Sequence, residues 1–279
     1  MLHSVPLDDL RILAVTGSDR ASLLQGQLTQ DVALASPATT VMAGWADVKG
    51  RLLFAGHLFV ARLATDEALA LLVPAELADT LLRRLRMYIL RAKAQATLLD
   101  MPLAGLIGPA VEPGESQAVR LHGQGTRHLL LGSAAARAGA VPSPRSAWQL
   151  ADIRAGLPAV LTATTGEFVP QMVNLDLIGG ISFTKGCYTG QEIVARTKYL
   201  GRVKRRMLRF ATDGAAPPPG AALYASRGPV GQVVTSAPTE TGSEFLAVIV
   251  LDDLPGPFFL DEARTVPAHR LELPYDIPV

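Results

Sequence analysis

The sequence of 279 residues contains a single cysteine, Cys187. One cysteine excludes an internal disulfide framework and any structural zinc site built from several thiolates. Aromatic residues make up only 5% of the chain, and their spacing marks no stacking platform for nucleic acid. Neither sign of charge dominates, with 26 Lys+Arg against 25 Asp+Glu, which argues against a protein that coats nucleic acid by bulk electrostatics.

Long apolar runs are also missing, because no uncharged stretch approaches the roughly 18 residues that a membrane span needs. The N-terminus has no basic region followed by an apolar run, so we expect no signal peptide. Half of the chain is nevertheless apolar (49%), which is enough to bury a full core. We therefore expect a soluble, cytoplasmic protein without membrane contact.

Several common catalytic motifs are absent. The sequence has no Gly-x-Ser-x-Gly elbow, no phosphate-binding Gly-x-x-x-x-Gly-Lys and no Gly-x-Gly-x-x-Gly. Triad hydrolases, P-loop enzymes and Rossmann oxidoreductases are therefore poorly supported. The five histidines are scattered without metal-ligand spacing, so we predict no metal site. His57 lies among apolar residues and is predicted to be a satisfied core histidine.

The hydrophobic pattern predicts helices in the first part of the chain and a strand-rich C-terminal part. Leucines at spacings of three and four predict a helix over 74–91, and further helices are expected after Asp19 and over 147–155. Residues 51–63 are typical of a buried pair of strand pieces. Beyond about residue 203, five or six short apolar runs separated by Pro- and Gly-containing turns predict a small β-barrel or sandwich.

The most specific local feature is the segment Lys185-Gly186-Cys187-Tyr188-Thr189-Gly190-Gln191-Glu192. The spacing of Thr189 and Glu192 matches a capping box, so a helix is predicted from about Gly190. Cys187 then lies just ahead of a helix N-terminus with Lys185 two residues away, and both features favour the thiolate form. A lone cysteine is most often a small buried hydrophobe, but these polar neighbours do not describe a core strand. We therefore expect a functional cysteine, with glycines that leave the backbone open to a ligand.

Three other polar stretches leave their roles open. The amide-rich residues 24–31, with Gln27 at their centre, are suited to hydrogen-bonding a heterocycle or to capping an ordinary turn. The Lys49-Gly50-Arg51 stretch is an anion contact or an ordinary turn. The basic stretch 198–209 is a solvated face, a contact for RNA phosphates, or a contact for an acidic small molecule.

The eight-residue segment resembles the signature of the folate-binding YgfZ family, relatives of the glycine-cleavage T-protein. The resemblance extends over most of the chain, and its further pieces come in the expected order: 19–32, 49–51, 154–158, 168–176, 180–183, 201 and 230–234. It implies an α+β, T-protein-like folate-binding fold of three subdomains around a central channel, with a small C-terminal β-barrel. The expected division is 1–202, a folate-binding region of two interwoven α+β subdomains, and 203–279, the barrel module.

The resemblance also implies a function. It points to a folate-binding protein that acts in assembly or repair of iron–sulfur enzymes and thereby affects tRNA modification indirectly. The expected cofactor is tetrahydrofolate or a derivative, including polyglutamylated forms. The expected partners are iron–sulfur client or assembly proteins, together with a transient tRNA contact.

Site residues follow from the signature and its surroundings. Cys187 is predicted to be the reactive residue and Lys185 its electrostatic partner. The predicted folate contacts are Gly186, Tyr188, Gly190, Gln191, Glu192, Arg196, Arg202 and Gln27. We further expect the glutamate tail of folate to be held by cations of the basic stretch, namely Arg202, Lys204, Arg205 and Arg206.

One departure from the T-protein bears on catalysis. The T-protein is expected to carry an aspartate on the strand after the Lys49–Arg51 turn, whereas residues 52–58 here contain no carboxylate. Loss of an acid/base group lowers a rate by about 10²–10⁴-fold, so aminomethyltransferase activity is not expected. Whether the protein is an enzyme stays open. The alternative functions are a folate-dependent one-carbon transferase with an unknown acceptor and a tRNA-binding module.

Overall fold

The structure is a computed structural model that describes residues 1–37, 40–63, 66–108, 118–121, 127–132, 140–199 and 201–278. The helices of this part of the chain are α1 (Arg20–Gln25), α2 (Ala75–Arg86), α3 (Arg145–Arg154) and α4 (Gln191–Tyr199). Its strands before α4 are β1 (His3–Pro6), β2 (Leu10–Thr16), β3 (Val41–Ala46), β4 (Leu52–Arg62), β5 (Glu67–Pro74), β6 (Gln95–Leu99), β7 (Leu103–Ile107), β8 (Ala118–Arg120), β9 (Arg127–Leu131) and β10 (Val141–Pro142). The strands after α4 are β11 (Arg205–Thr212), β12 (Ala222–Ala225), β13 (Gly228–Pro238), β14 (Ser243–Val250), β15 (Phe258–Phe259) and β16 (Pro267–Leu271).

The first sheet is antiparallel and has the strand order β3-β4-β5-β2-β6. Helix α2 packs on it through the leucines that its 3–4 spacing places on one face, and these leucines are buried while Arg83 and Arg86 are exposed. The pattern thus predicts this helix correctly, although it ends at Arg86 rather than near residue 91. Of residues 51–63, Leu52–Arg62 form one eleven-residue strand, β4, instead of two pieces.

The second sheet has the order β10-β1-β7-β9-β8. Its strand β1 precedes the strands of the first sheet in the sequence, and its other strands follow them. Helix α3 brings Trp148 between the two sheets, where the indole is 1% exposed. Gly105 of β7 lies directly beneath it, and a Cβ there would collide with the ring. The second sheet therefore needs a glycine at this position.

The C-terminal residues form a closed barrel in the order β11-β14-β13-β12-β15-β16. Its interior holds Phe210 between Phe245, which stacks on it, and Phe258, which meets it edge-on, both at centroid distances of 5.4 Å. Short strands separated by Pro and Gly predict this module, and the closed barrel confirms the expected fold. The two-residue strand β15 is too short to show in the sequence pattern.

Buried polar side chains attach the barrel to the rest of the chain. Arg206 of β11 is 3% exposed and donates to both carboxylate oxygens of Asp176, at 2.6 and 2.9 Å. Asn174 adopts the left-handed conformation (φ 61°) and donates from Nδ2 to the Met207 carbonyl at 2.7 Å. Glu244 of β14 accepts hydrogen bonds from two arginines, Arg154 of α3 and Arg209 of β11.

The pKa of Glu244 responds to these contacts. Burial alone raises it, but the hydrogen bonds from Arg154 and Arg209 outweigh burial and hold the pKa below its ordinary value. The carboxylate is therefore charged at neutral pH and bridges α3 to the barrel.

Candidate functional site

The signature segment leads directly into α4. Cys187 is exposed, and Gly190 immediately before the helix has φ +81°. The predicted helix start at about residue 190 is thus confirmed. Gly186 has open space around the position of a Cβ, so the backbone beside the thiol is accessible.

Lys185 is half-buried and binds the amide-rich loop. Its Nζ donates to three main-chain carbonyls, those of Gln25 at 2.7 Å, Leu28 at 2.8 Å and Gln30 at 3.0 Å. An ammonium has three donors, so all of them are used within this loop. Burial lowers the pKa of Lys185 to about 8, while the charge of Asp31 acts in the opposite direction. Lys185 thus fastens the loop of residues 25–30 to the signature segment.

Thr189 also binds this loop and does not form the predicted capping box. Its backbone N–H donates to the Gly26 carbonyl at 3.1 Å, and its hydroxyl lies 3.5 Å from that oxygen and from Gln27 Oε1. The reciprocal cap comes from Gln191, whose Oε1 accepts from the Tyr188 N–H at 3.2 Å. The helix start is predicted correctly because the local polar spacing is typical of one. Thr189, however, contacts the amide-rich loop and does not cap the helix.

The Lys49-Gly50-Arg51 turn packs against the start of α4. A Cβ at Gly50 would come within 2.8 Å of the Ile193 Cβ, and one at Gly190 would collide with the Asp47 carbonyl oxygen. Asp47 holds the turn by accepting from the N–H groups of residues 49 and 51, each at 2.9 Å. These two glycines therefore permit the turn and the helix to touch.

Two stretches that are ambiguous as sequence, the amide-rich loop and the 47–51 turn, thus meet at the signature segment. Gln27 is buried against Thr189, and Tyr188 is buried with its ring centroid 5.2 Å from Lys185 Nζ. Burial raises the pKa of Tyr188 to about 12. Glu192 and Arg196 are exposed on α4, as is Arg202 beyond it.

The basic stretch separates into internal and external cations. Arg206 is paired with Asp176, and Arg209 is paired with Glu244, so both serve the barrel interface. The expectation that Arg206 holds the folate tail is therefore wrong, because its guanidinium is buried in that ion pair. The exposed cations of the stretch are Lys198, Arg202, Lys204 and Arg205.

A cavity of about 330 Å³ lies where the first sheet, α3 and the barrel meet, and no sequence motif predicts it. Trp148, Met42 and Leu157 are among its apolar lining residues, and Thr235 closes it from the barrel. His57 is buried at its edge, in agreement with a core histidine, and Thr40 Oγ1 lies 3.5 Å from its Nδ1.

Charged side chains line one part of this cavity. Arg145 donates from Nε to Asp9 at 2.6 Å, while its Nη1 is buried without a hydrogen-bond partner in the described structure. Asp152 also lines the cavity and is paired with Arg127, which lies over the Trp148 ring at 5.2 Å. Arg145 is one of several described side chains with such a buried atom, and at a cavity wall a bound water or anion would satisfy it.

The cavity and the signature segment are separate places. Gly56 of β4 lines the cavity, whereas Gly50, six residues earlier, contacts α4. The strand residues from Leu52 to Gly56 alone span about 13 Å. On the same strand Phe54 is fully buried in the region where the T-protein resemblance calls for an aspartate.

No protein-family model matches the chain. Curated relatives named tRNA-modifying protein YgfZ do match it over most of its length. The protein from Klebsiella pneumoniae is 30% identical across 99% of this chain and 94% of its own. The protein from Vibrio vulnificus strain YJ016 is 35% identical across 74% of this chain and 68% of its own. The chain belongs to the YgfZ family.

The fold of this YgfZ-family chain resembles that of a glycine cleavage system aminomethyltransferase T from Bartonella henselae. The two structures superpose with a TM-score of 0.70 over 97% of this chain and 85% of that one, at 15% sequence identity. This likeness confirms the T-protein fold. No helix in the described residues has the length and apolar character needed to cross a bilayer.

Proposed function

We propose that this YgfZ-family protein binds a reduced folate and acts, in the cytoplasm, in assembly or repair of iron–sulfur enzymes that modify tRNA. The observation that supports it most strongly is the convergence of three separate stretches around the exposed Cys187. Such convergence assembles a site from the signature segment and two stretches that lie more than 100 residues before it in the sequence.

The cavity between the first sheet, α3 and the barrel is the proposed place for the folate. Its volume lies in the range of small-molecule sites, and Trp148 and Leu157 offer an apolar surface to a flat heterocycle. Asp152 supplies an acceptor for the amino and N–H groups of a pterin. The unpartnered Nη1 of Arg145 fits a carboxylate of the glutamate tail. When bound, a reduced folate supplies a carrier for one-carbon units.

A second placement puts folate at the signature segment. The open space at Gly186 favours it, as do the exposed cations Arg196 and Arg202. The folate contacts then are the residues predicted from the signature, with Lys204 and Arg205 on the tail.

Two variants separate the placements. Arg145→Ala should weaken tetrahydrofolate binding at least tenfold in calorimetry if folate occupies the cavity, while Arg202→Ala leaves it unchanged. The opposite pattern would place folate at the signature segment. If neither variant weakens tetrahydrofolate binding, both placements are contradicted.

Cys187 is the proposed reactive group. A single cysteine cannot hold an iron–sulfur cluster within one chain, because clusters need about four protein ligands. Its thiol therefore acts transiently or as one ligand shared with a partner. The exposed position of Cys187 just ahead of α4 leaves its sulfur accessible in either role.

The function is tested by rescue in a bacterium that lacks its YgfZ-family gene. Wild-type protein should restore tRNA thiomethylation and the activity of iron–sulfur enzymes, and Cys187→Ser should restore neither. Because Cys187 is exposed, the variant should unfold at the same urea concentration as wild type. Full rescue by a stable Cys187→Ser protein would contradict the proposed role of the thiol.

A further inference from the structure

An exposed segment that is both basic and apolar follows helix α2. We define residues 83–93 as the basic–apolar turn. Met87, Tyr88 and Leu90 are 62%, 37% and 88% exposed within it. The same eleven residues contain five cations and no carboxylate: Arg83, Arg84, Arg86, Arg91 and Lys93. The chain as a whole has a net charge of only +1, so positive charge is concentrated here.

The early end of α2 creates this surface. Leu85 is the last helical residue that reaches the core, and the helix ends at Arg86. Residues beyond that point no longer follow the buried face, and Ile89 alone packs back against the core cluster. Met87, Tyr88 and Leu90 are consequently left in solvent, where large apolar side chains grouped together mark an interaction site.

Helix α1 connects the basic–apolar turn to the candidate site. At its N-terminal end the Asp19 carboxylate accepts from the Lys93 N–H at 2.7 Å, and the Asp19 N–H donates to the Lys93 carbonyl at 3.2 Å. At its C-terminal end the Gln25 carbonyl accepts from Lys185 at 2.7 Å. The six residues of α1 span about 9 Å. An interface of ordinary size, about 800 Å² on each partner, can therefore cover the turn and reach Cys187.

We propose that the basic–apolar turn docks an acidic protein surface that carries apolar anchors, and so brings that partner to Cys187. This inference rests on the proposed function, because it identifies the partner as the iron–sulfur client. The exposed cations of the turn match an acidic surface by charge: Arg83, Arg86, Arg91 and Lys93. Exposed Met, Tyr and Arg side chains are the types enriched at protein interfaces.

A protein fits this surface better than a bilayer or RNA. Peripheral membrane helices present a continuous apolar face, whereas the apolar face of α2 is already buried in the core. Phosphate contacts in RNA complexes use cations and polar groups, which leaves exposed Leu90 and Met87 without a role.

The direct test is binding to a fluorescent random copolymer of Glu and Tyr, which combines negative charge with apolar anchors. The anisotropy of the copolymer should report saturable binding by the wild-type protein. The apolar variant Met87→Ser/Leu90→Ser and the charge variant Arg91→Glu/Lys93→Glu should each bind at least tenfold more weakly. Val266→Ser and Arg270→Glu change the same residue types on the exposed barrel surface and should bind like wild type.

Several outcomes would overturn the inference. Unchanged copolymer binding by both turn variants would do so, as would equal losses in the barrel controls. Binding of vesicles with 30% anionic lipid, or of tRNA, that depends on the turn and exceeds copolymer binding would assign the surface to a membrane or to RNA.

Rescue of tRNA thiomethylation separates this inference from the proposed function. The turn variants should lose rescue while they still bind tetrahydrofolate like wild type. If they rescue fully, the docking role is wrong and the proposed function stands. If wild type itself fails to rescue although the turn binds the copolymer, the proposed function and the client assignment fail together. The role of the basic–apolar turn in docking an acidic protein surface then remains.

Discussion

Replacing Lys185 with methionine tests whether this residue holds the site together. The change keeps much of the side-chain volume and removes the ammonium, so the carbonyls of Gln25, Leu28 and Gln30 lose a donor. Hydrogen bonds to a charged group contribute about 1.5 kcal/mol or more each. The loss of these hydrogen bonds is partly offset, because the variant no longer has to desolvate an ammonium. At this half-buried position solvent screening limits that desolvation cost to about 2 kcal/mol.

We therefore expect Lys185→Met to lower the free energy of unfolding by about 2–3 kcal/mol. Urea denaturation followed by circular dichroism measures this change, with Lys204→Met, an exposed lysine, as the matched control. The loosened loop should also increase proteolysis near residues 25–30. A variant as stable as the control would refute the reasoning that the three hydrogen bonds fasten the loop.

The same variant tests the predicted electrostatic role of Lys185. If its charge stabilises the Cys187 thiolate, the reaction of the thiol with a maleimide should slow at pH 7 in Lys185→Met. Because the structure directs all three donors into the loop, we expect the maleimide reaction rate to change little although the free energy of unfolding falls. A large decrease in the rate with unchanged stability would favour the electrostatic role.

The remaining predictions concern the glycines and the buried ion pairs. Gly190→Ala should destabilise the protein by about 2–4 kcal/mol in urea denaturation, because the new Cβ would collide with the Asp47 carbonyl oxygen and Gly190 has a positive φ. Gly186→Ala should leave the stability unchanged, because there is open space around that position. Asp176→Asn should cost about 3 kcal/mol by leaving buried Arg206 unpaired, and an unchanged midpoint would contradict the pairing. Because the pKa of Glu244 is lower in the folded protein than in the unfolded chain, its carboxylate stabilises the fold in full above the unfolded pKa. This stabilisation is lost as the pH falls through the folded pKa. Glu244→Gln should therefore flatten the acid limb of the stability–pH curve, and an unchanged limb would contradict this.

Local patterns predict the elements that depend on short-range chemistry. The leucine spacing of α2, the polar start of α4 and the short strands of the barrel are all visible in the sequence because each depends on neighbouring residues. The end of α2 at Arg86 is not predicted, since Ile89 continues the helical spacing and the turn that follows is fixed by Asp19, over 70 residues away.

The sequence predicts the segments that form the site but not how these segments lie against one another. The signature segment is specific enough to identify Cys187, but the amide-rich loop and the 47–51 turn are ambiguous until Lys185 and Gly190 bring them together. The cavity leaves no sequence signal, because its lining combines isolated residues of the first sheet, α3 and the barrel. An unpartnered arginine nitrogen such as that of Arg145 can be recognised only from coordinates.

The most direct test of the account is titration with tetrahydrofolate, followed by tryptophan fluorescence and checked by calorimetry. The chain has two tryptophans, of which Trp148 lines the cavity and Trp45 is fully buried in β3. We therefore use Trp45→Phe, which leaves Trp148 as the reporter. The account predicts saturable micromolar binding that changes this fluorescence and is lost in Arg145→Ala. Absence of binding by calorimetry at millimolar tetrahydrofolate would contradict the folate-dependent function.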